Sequence, residues 1–181
     1  TSQGVPVIGC NCPVCKSTDP KDKRFRSSVL VEHEGMTILV DAGPDFRSQM
    51  LREGITHLDA ILLTHNHKDH TGGLDDVRAL NYTEGRACDI YCEKYVEDSL
   101  RQEYAYAFSE HKYPGVPEWH IHNIENQPFE VIVDDNAPRL QWVSNEGYKE
   151  IPLPGGPHLR STRIIPIRGF HAALPVLGFR F

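Results

Sequence analysis

Apolar and polar positions along the chain switch between a two-residue period and a helical one, so the sequence reads as strands interleaved with helices. Ser27–His33 and Met36–Asp41 are β-rich runs separated by Glu34-Gly35, a spacing that predicts a hairpin. Asp45–Glu53 puts Phe46, Met50 and Leu51 at helical spacing, with Gly54 as the stop. The short apolar run Ala60–Leu63 predicts a buried strand. Leu74–Leu80 predicts a helix whose first turn holds Asp75 and Asp76, acids that complement its dipole. Asp89–Cys92 predicts a strand, and Glu93–Phe108 a long helix with Tyr104 and Phe108 on one face, where they pack in the core. Ser109–Pro128 reads as loop, broken by Pro114, Pro117 and Pro128. Phe129–Asp134 and Arg139–Ser144 predict strands on either side of Asp135–Pro138, and Glu150–Arg160 a Pro/Gly loop. The last two strands are Arg163–Arg168, which Pro166 assigns to an edge or a bulge, and Val176–Phe181.

The buried run ends abruptly in His65, His67, Asp69 and His70, four metal-ligand side chains within six positions. On extended backbone, residues two apart point the same way, so His65 and His67 can hold one cation. Asp69 and His70, further round the turn, reach a second. A loop is therefore expected here, with Gly72 and Gly73 letting the chain turn tightly beneath it. A second ligand-rich run is Cys10, Cys12 and Cys15, three thiols close enough for one structural zinc, with free reduced thiols as the plain alternative. Asp41, at the end of a strand before Gly43, is either a turn-former or an orienter of metal ligands. Arg78 is expected to pair with a nearby Asp rather than with a phosphate. His57 is expected as a capping or surface group, and His158 as a solvated one. His111, His120 and His122 lie in the loop-rich segment; the last two, two apart, could bind metal or phosphate, but no acid or Cys at ligand spacing accompanies them.

Composition narrows the picture. A length of 181 residues with 39% hydrophobic and 24% charged residues fits one domain with a real core. No apolar run approaches a membrane span, and no leader is evident, so a cytoplasmic protein is expected. A formal charge of −6 argues against broad nucleic-acid binding. Five unevenly spaced cysteines do not make a secreted disulfide framework.

The run His65-Asn66-His67-Lys68-Asp69-His70, preceded by Ile61–Thr64 and followed by Thr71-Gly72-Gly73, resembles the signature of the metallo-β-lactamase-fold hydrolases. Ile38–Gly43, a strand ending in Asp-x-Gly, resembles that superfamily's first motif, and His171 its third. Thr1–Pro6, Cys10–Cys15 and Gly73–Arg78 are most similar to the branch that includes phosphoribosyl cyclic phosphate phosphodiesterase. The resemblance implies an α/β fold, a four-layer αββα sandwich, as a single domain over residues 1–181 that is truncated at both ends. It implies two active-site divalent ions, zinc or manganese. His65, His67 and His171 would hold one, and Asp69 and His70 the other.

The implied activity is a phosphodiesterase acting on a cyclic or small-molecule phosphodiester. A metal-bridging hydroxide would attack phosphorus, and Asp69 would orient it as the catalytic residue. In the family a bridging Asp, a late His and a fourth, histidine ligand for the cysteine zinc follow the final strand; none is identified in this sequence. A tRNA 3′-end processing endonuclease and a non-catalytic zinc-binding domain stand as alternatives, and homodimerisation as an option.

Overall fold

A computed structural model describes residues 2–143 and 147–181, so Thr1 and Ser144, at the ends of an expected turn and strand, lie outside the described residues. The hairpin forms as expected. β1 (Val29–His33) and β2 (Met36–Val40) pair antiparallel in the register Val29↔Val40 to His33↔Met36. Glu34 and Gly35 both take positive φ, 51° and 74°, the conformation a two-residue hairpin turn demands. β2 then pairs parallel with β3 (Ala60–Leu62), β3 with β4 (Cys88–Cys92), and β4 with β5 (Trp119–Asn123), giving a five-stranded sheet in the order β1-β2-β3-β4-β5.

β5 corrects the loop expected over Ser109–Pro128: the prolines bracket a strand rather than excluding one. A second sheet, in the order β10-β9-β6, is built from β6 (Phe129–Asp134), β9 (Leu159–His171) and β10 (Leu174–Arg180). β9 runs well beyond the expected Arg163–Arg168, and its first residues replace the end of the expected loop. Pro166 is tolerated because the ladder to β6 ends at Ile164, leaving only β10 beside it. β7 (Arg139–Val143) and β8 (Gly147–Ile151) form a separate hairpin, and β8 takes Glu150 and Ile151 out of the same expected loop.

Two cores follow from the alternation along the strands. Leu39, Ile61, Leu63, Ile90 and Cys92 turn one face of the first sheet toward helices, meeting Phe46 and Met50 of α2 (Phe46–Glu53), which follows α1 (Pro13–Lys16). The same face meets Val96 and Leu100 of α5 (Lys94–Glu103). Met36, Ile38, Ala60 and Leu62 turn the other face toward Val131, Val133, Ile164 and Leu177 of the second sheet. Among the described residues the layers are helix, sheet and sheet, three of the four layers of the expected αββα sandwich. The helix expected over Leu74–Leu80 begins as a 3-10 turn, Leu74–Val77, and continues as α4 (Arg78–Glu84). α5 is shorter than the expected Glu93–Phe108, since Tyr104 leaves helical geometry and a 3-10 turn, Ala105–Phe108, completes the segment. Tyr104 and Phe108 nonetheless share a face, both meeting the Trp119 ring edge-on. Arg78 pairs with Asp75 at 2.9 Å, as expected.

A polar staple ties the layers together at the end of β3 away from the histidine cluster. The Asp59 carboxylate, 1% exposed, accepts from Thr37 N (2.7 Å) and Arg160 Nη2 (2.8 Å) and contacts His57 Nε2 at 3.0 Å. His57 Nδ1 lies 2.8 Å from Glu84. His57 is thus a bridge between two carboxylates, and His158, expected as solvated, pairs with Asp135 at 2.8 Å. The Asp59 contact, reinforced by Glu84, raises His57 from 6.5 to about 9. A raised cationic group stabilises the fold fully below its unfolded value and loses that contribution as pH rises through the folded value. Melting temperature should therefore fall between pH 6.5 and about 9, and His57→Gln should flatten that slope. Parallel wild-type and variant profiles would contradict the assignment.

Candidate metal centre

The ligand-rich loop is half extended and half helical. His65 to His67 follow β3 outside any helix or strand, with His67 extended at φ −68°, ψ 147°, and α3 (Lys68–Thr71) follows immediately, so Asp69 and His70 sit on a helical turn rather than on the expected loop. The result is convergence. The His65 ring centroid lies 4.7 Å from His67 and 4.1 Å from His70. His70 Nε2 lies 3.3 Å from Asp69 Oδ2. His171, at the end of β9 in the turn to β10, brings its ring within 5.4 Å of His67 and 6.2 Å of His65. All five side chains line one open cleft of about 690 Å³, together with Ser2, Ser27, Asp41 and the β10 residues Val176–Gly178.

Asp41 is the support beneath this group. Its φ is 62°, a left-handed conformation that Asp tolerates better than most residues. Held there, its buried carboxylate accepts from Thr64 N at 2.8 Å, receives the Thr64 hydroxyl at 2.9 Å, and meets His70 Nδ1 at 2.6 Å. Both readings of Asp41 have a counterpart here: it accepts a backbone N–H at a turn, and it holds the His70 ring whose other nitrogen faces Asp69. This carboxylate contact raises the His70 pKa. Burial, ahead of the charge of His70, pushes His65 down to about 4, so its imidazole is neutral at pH 7 with its lone pair available. Imidazoles beside a carboxylate, one of them backed by a second carboxylate, are the donor set of a divalent metal site, and the residues present fit one.

Two further supports were invisible in the sequence. From α5, Ser99 accepts from Asn66 Nδ2 at 2.8 Å and Glu103 pairs with Lys68, and just beyond its end Tyr104 donates to Thr71 O at 3.0 Å. On the other side, the β9–β10 hairpin carrying His171 is held by Arg168, forked onto Glu93 at 2.7 and 2.5 Å. Tyr95 adds a 2.6 Å hydrogen bond to Pro175 O, and Leu177 N donates to Thr64 O at 3.0 Å. Carboxylates that back metal-bound histidines typically set affinity by ten- to a hundredfold. Asp41→Asn, which keeps shape and tolerates the left-handed backbone, should weaken one metal equivalent by about that factor in a chelator competition. Unchanged affinity would remove Asp41 from its orienting role.

The Cys10, Cys12 and Cys15 sulfurs all lie within 4.8 Å of one another near the surface. Cys12 caps α1, and the Cys15 N–H donated to its sulfur at 3.4 Å lowers its pKa. Cys88 and Cys92 are buried core thiols, and burial pushes Cys92 up to about 12. Among the described residues no helix is long and apolar enough to cross a membrane.

Residues 36–158 match the beta-lactamase superfamily domain. Over 182 aligned residues the chain is 38% identical to an octanoyltransferase of Porphyromonas gingivalis, covering 99% of this chain and 31% of that protein. It is 30% identical over 176 residues to coenzyme PQQ synthesis protein B of Klebsiella pneumoniae, covering 84% of this chain and 54% of that one. The crystal structure of a diphosphatase from the PhnP family superposes with a TM-score of 0.74 at 34% identity, covering 100% of this chain and 58% of that chain. The chain therefore spans less than two thirds of the length of each of these relatives.

Proposed function

This chain belongs to the β-lactamase superfamily, with the metallo-β-lactamase fold and a place close to the PhnP branch, and from that premise we propose that it is a metal-dependent phosphodiesterase. Its substrate is a cyclic or small-molecule phosphodiester. The observation that carries the reading is the convergence of His65, His67, His171, Asp69 and His70 on one open cleft, with Asp41 behind them. Likeness to a PhnP-family diphosphatase supports attack at phosphorus over attack at carbon.

In this reading His65, His67 and His171 hold one divalent ion and Asp69 and His70 the other. Such ions, zinc or manganese, supply activation of water at neutral pH and offset charge on phosphoryl oxygens. The protein's own part is orientation. Asp41 keeps the His70 ring fixed, and Arg168, Tyr95 and Leu177 hold the His171 hairpin against the loop. Asp69, 3.3 Å from His70 Nε2, orients the attacking water and accepts its proton. The cleft is open and can admit a substrate larger than a single phosphate.

The test is to purify the protein with its metals and assay cyclic phosphate, linear phosphodiester, thioester and β-lactam substrates side by side. Turnover of a phosphodiester with no β-lactam hydrolysis is expected. Stoichiometric metal with no phosphodiester turnover would overturn the function and leave the fold standing. Cys10, Cys12 and Cys15 form, in the same proposal, a separate structural zinc site. Cys12→Ser should then remove one zinc per chain while phosphodiester turnover persists. Undiminished zinc would mean that these are free thiols.

A further inference from the structure

A third cluster of ligand-type side chains lies away from both sites. The parallel pairing of β4 with β5 sets Asp89 opposite His120 and Tyr91 opposite His122. His120 and His122, two apart on a strand, project to the same face, and Asp89 projects between them. The distances are short. His122 Nε2 lies 2.6 Å from Asp89 Oδ1, and His120 Nδ1 lies 3.7 Å from that same oxygen. The His122 ring is held by stacking on Tyr91 at 4.5 Å, so its Nε2 is aimed by packing as well as by the carboxylate.

We propose that Asp89, His120 and His122 form a further binding site for a zinc-class divalent cation at the open edge of the first sheet. Donor atoms about 2.1 Å from a tetrahedral zinc stand roughly 3.4 Å from one another. The His120 to Asp89 separation is already close to that value, and the His122 to Asp89 separation reaches it by a small rotation of an exposed ring. Access is open as well. β5 ends the sheet, and the His120 and His122 side chains are 59% and 43% exposed, so water can complete the coordination.

The surroundings favour positive charge. Against the burial that raises it, hydrogen bonds with His120 and His122 hold Asp89 down to about 2. The contact with Asp89 raises His120, and the charges of Glu150 and Glu118 add to it. A divalent cation would answer that field at the Asp89 carboxylate, with the two rings turned to meet it.

Zinc ions are counted on the full protein after dialysis at fixed free zinc, for wild type, His120→Gln and His122→Gln. Each variant should bind one ion fewer than wild type, or bind its last ion about tenfold or more weakly, with phosphodiester turnover unaffected. Histidine side-chain nitrogen spectra recorded through the titration should show His120 Nδ1 and His122 Nε2 shifting together on one equivalent. Equal ion counts and affinities in all three proteins, or shifts that spare these two rings, would overturn the site. His120→Gln alters a well-exposed side chain, so the comparison survives if loss of the Tyr91 stack unfolds His122→Gln. The readout is an ion count, so its failure leaves the phosphodiesterase reading untouched, and a protein without phosphodiesterase activity can still bind this cation.

Discussion

Asp69→Asn should cut phosphodiester turnover by about a hundred- to ten-thousandfold, the range typical of losing a positioned proton acceptor, while leaving the fold intact. The side chain is partly exposed on the first turn of α3 and no buried contact depends on it, so the melting temperature should move little. In the proposed function its carboxylate acts in the chemistry. It stands 3.3 Å from His70 Nε2, while the Asp41 carboxylate holds the other ring nitrogen at 2.6 Å. The amide keeps size and one acceptor oxygen but cannot take a proton from water. A loss in kcat greater than any rise in KM is expected if Asp69 acts on the nucleophile, because uniform weakening of substrate binding would appear in KM alone. Ion counting on the same sample separates this from simple metal loss. A variant with full metal and full turnover would strip Asp69 of its catalytic role, and the general base would have to be sought elsewhere in the cleft.

What the sequence disclosed was mainly what local pattern controls. The Glu34-Gly35 turn, the buried strand before His65 and the density of ligands after it each follow from side-chain types within a few positions. The boundaries that failed did so where tertiary pairing overrides local punctuation. Trp119-His120-Ile121-His122 alternates as a strand should, yet prolines on either side weigh it toward loop until β4 is present to pair with it. β9 begins at Leu159, inside a Pro/Gly segment, because pairing with β6 supplies the hydrogen bonds that the local sequence does not promise. α5 ends at Glu103 because Tyr104 turns away and reaches Thr71 O.

The candidate centre divides in the same way. His65, His67, Asp69 and His70 were legible as a run, and His171 only through resemblance to a family. The partners that orient them were not legible, since Asp41 with His70, Ser99 with Asn66 and Glu93 with Arg168 are joined only when separate strands and helices pack. Asp89 is the same case: 33 positions from His122 in sequence, it meets the histidines only through strand register.

Gly43→Ala should be among the most damaging small substitutions at the described residues, and the reason also corrects the reading of the glycines after the ligand cluster. Gly72 and Gly73 were expected to permit a tight turn, but neither has positive φ; their role is close approach. A Cβ on Gly43 would lie within 2.2 Å of Asp69 O and 3.1 Å of Asp69 C, and one on Gly73 within 2.1 Å of Gly43 O and 2.7 Å of Phe46 Cβ. These atoms belong to backbone or to a packed core side chain, so the clash cannot be relieved by a rotamer. Backbone bonds Ala42 N to His70 O (2.8 Å) and Gly73 N to Ala42 O (2.9 Å) lock the two segments at this spacing. An added methyl must push α3 away from Asp41, lengthening the 2.6 Å contact that fixes His70. Overpacking of this kind costs about 3 kcal/mol. In a chain of this size that corresponds to a melting temperature lower by roughly 6–12 °C. Metal affinity should fall in step, because the displaced segment carries Asp69 and His70. Gly156→Ala is the control: its Cβ would meet nothing within 4 Å, so it should change stability by less than about 0.5 kcal/mol. A Gly43→Ala protein that melts and binds metal like the control would mean that the Asp41–Gly43 turn and the ligand loop are not held in contact, and the orienting role of Asp41 would fall with it.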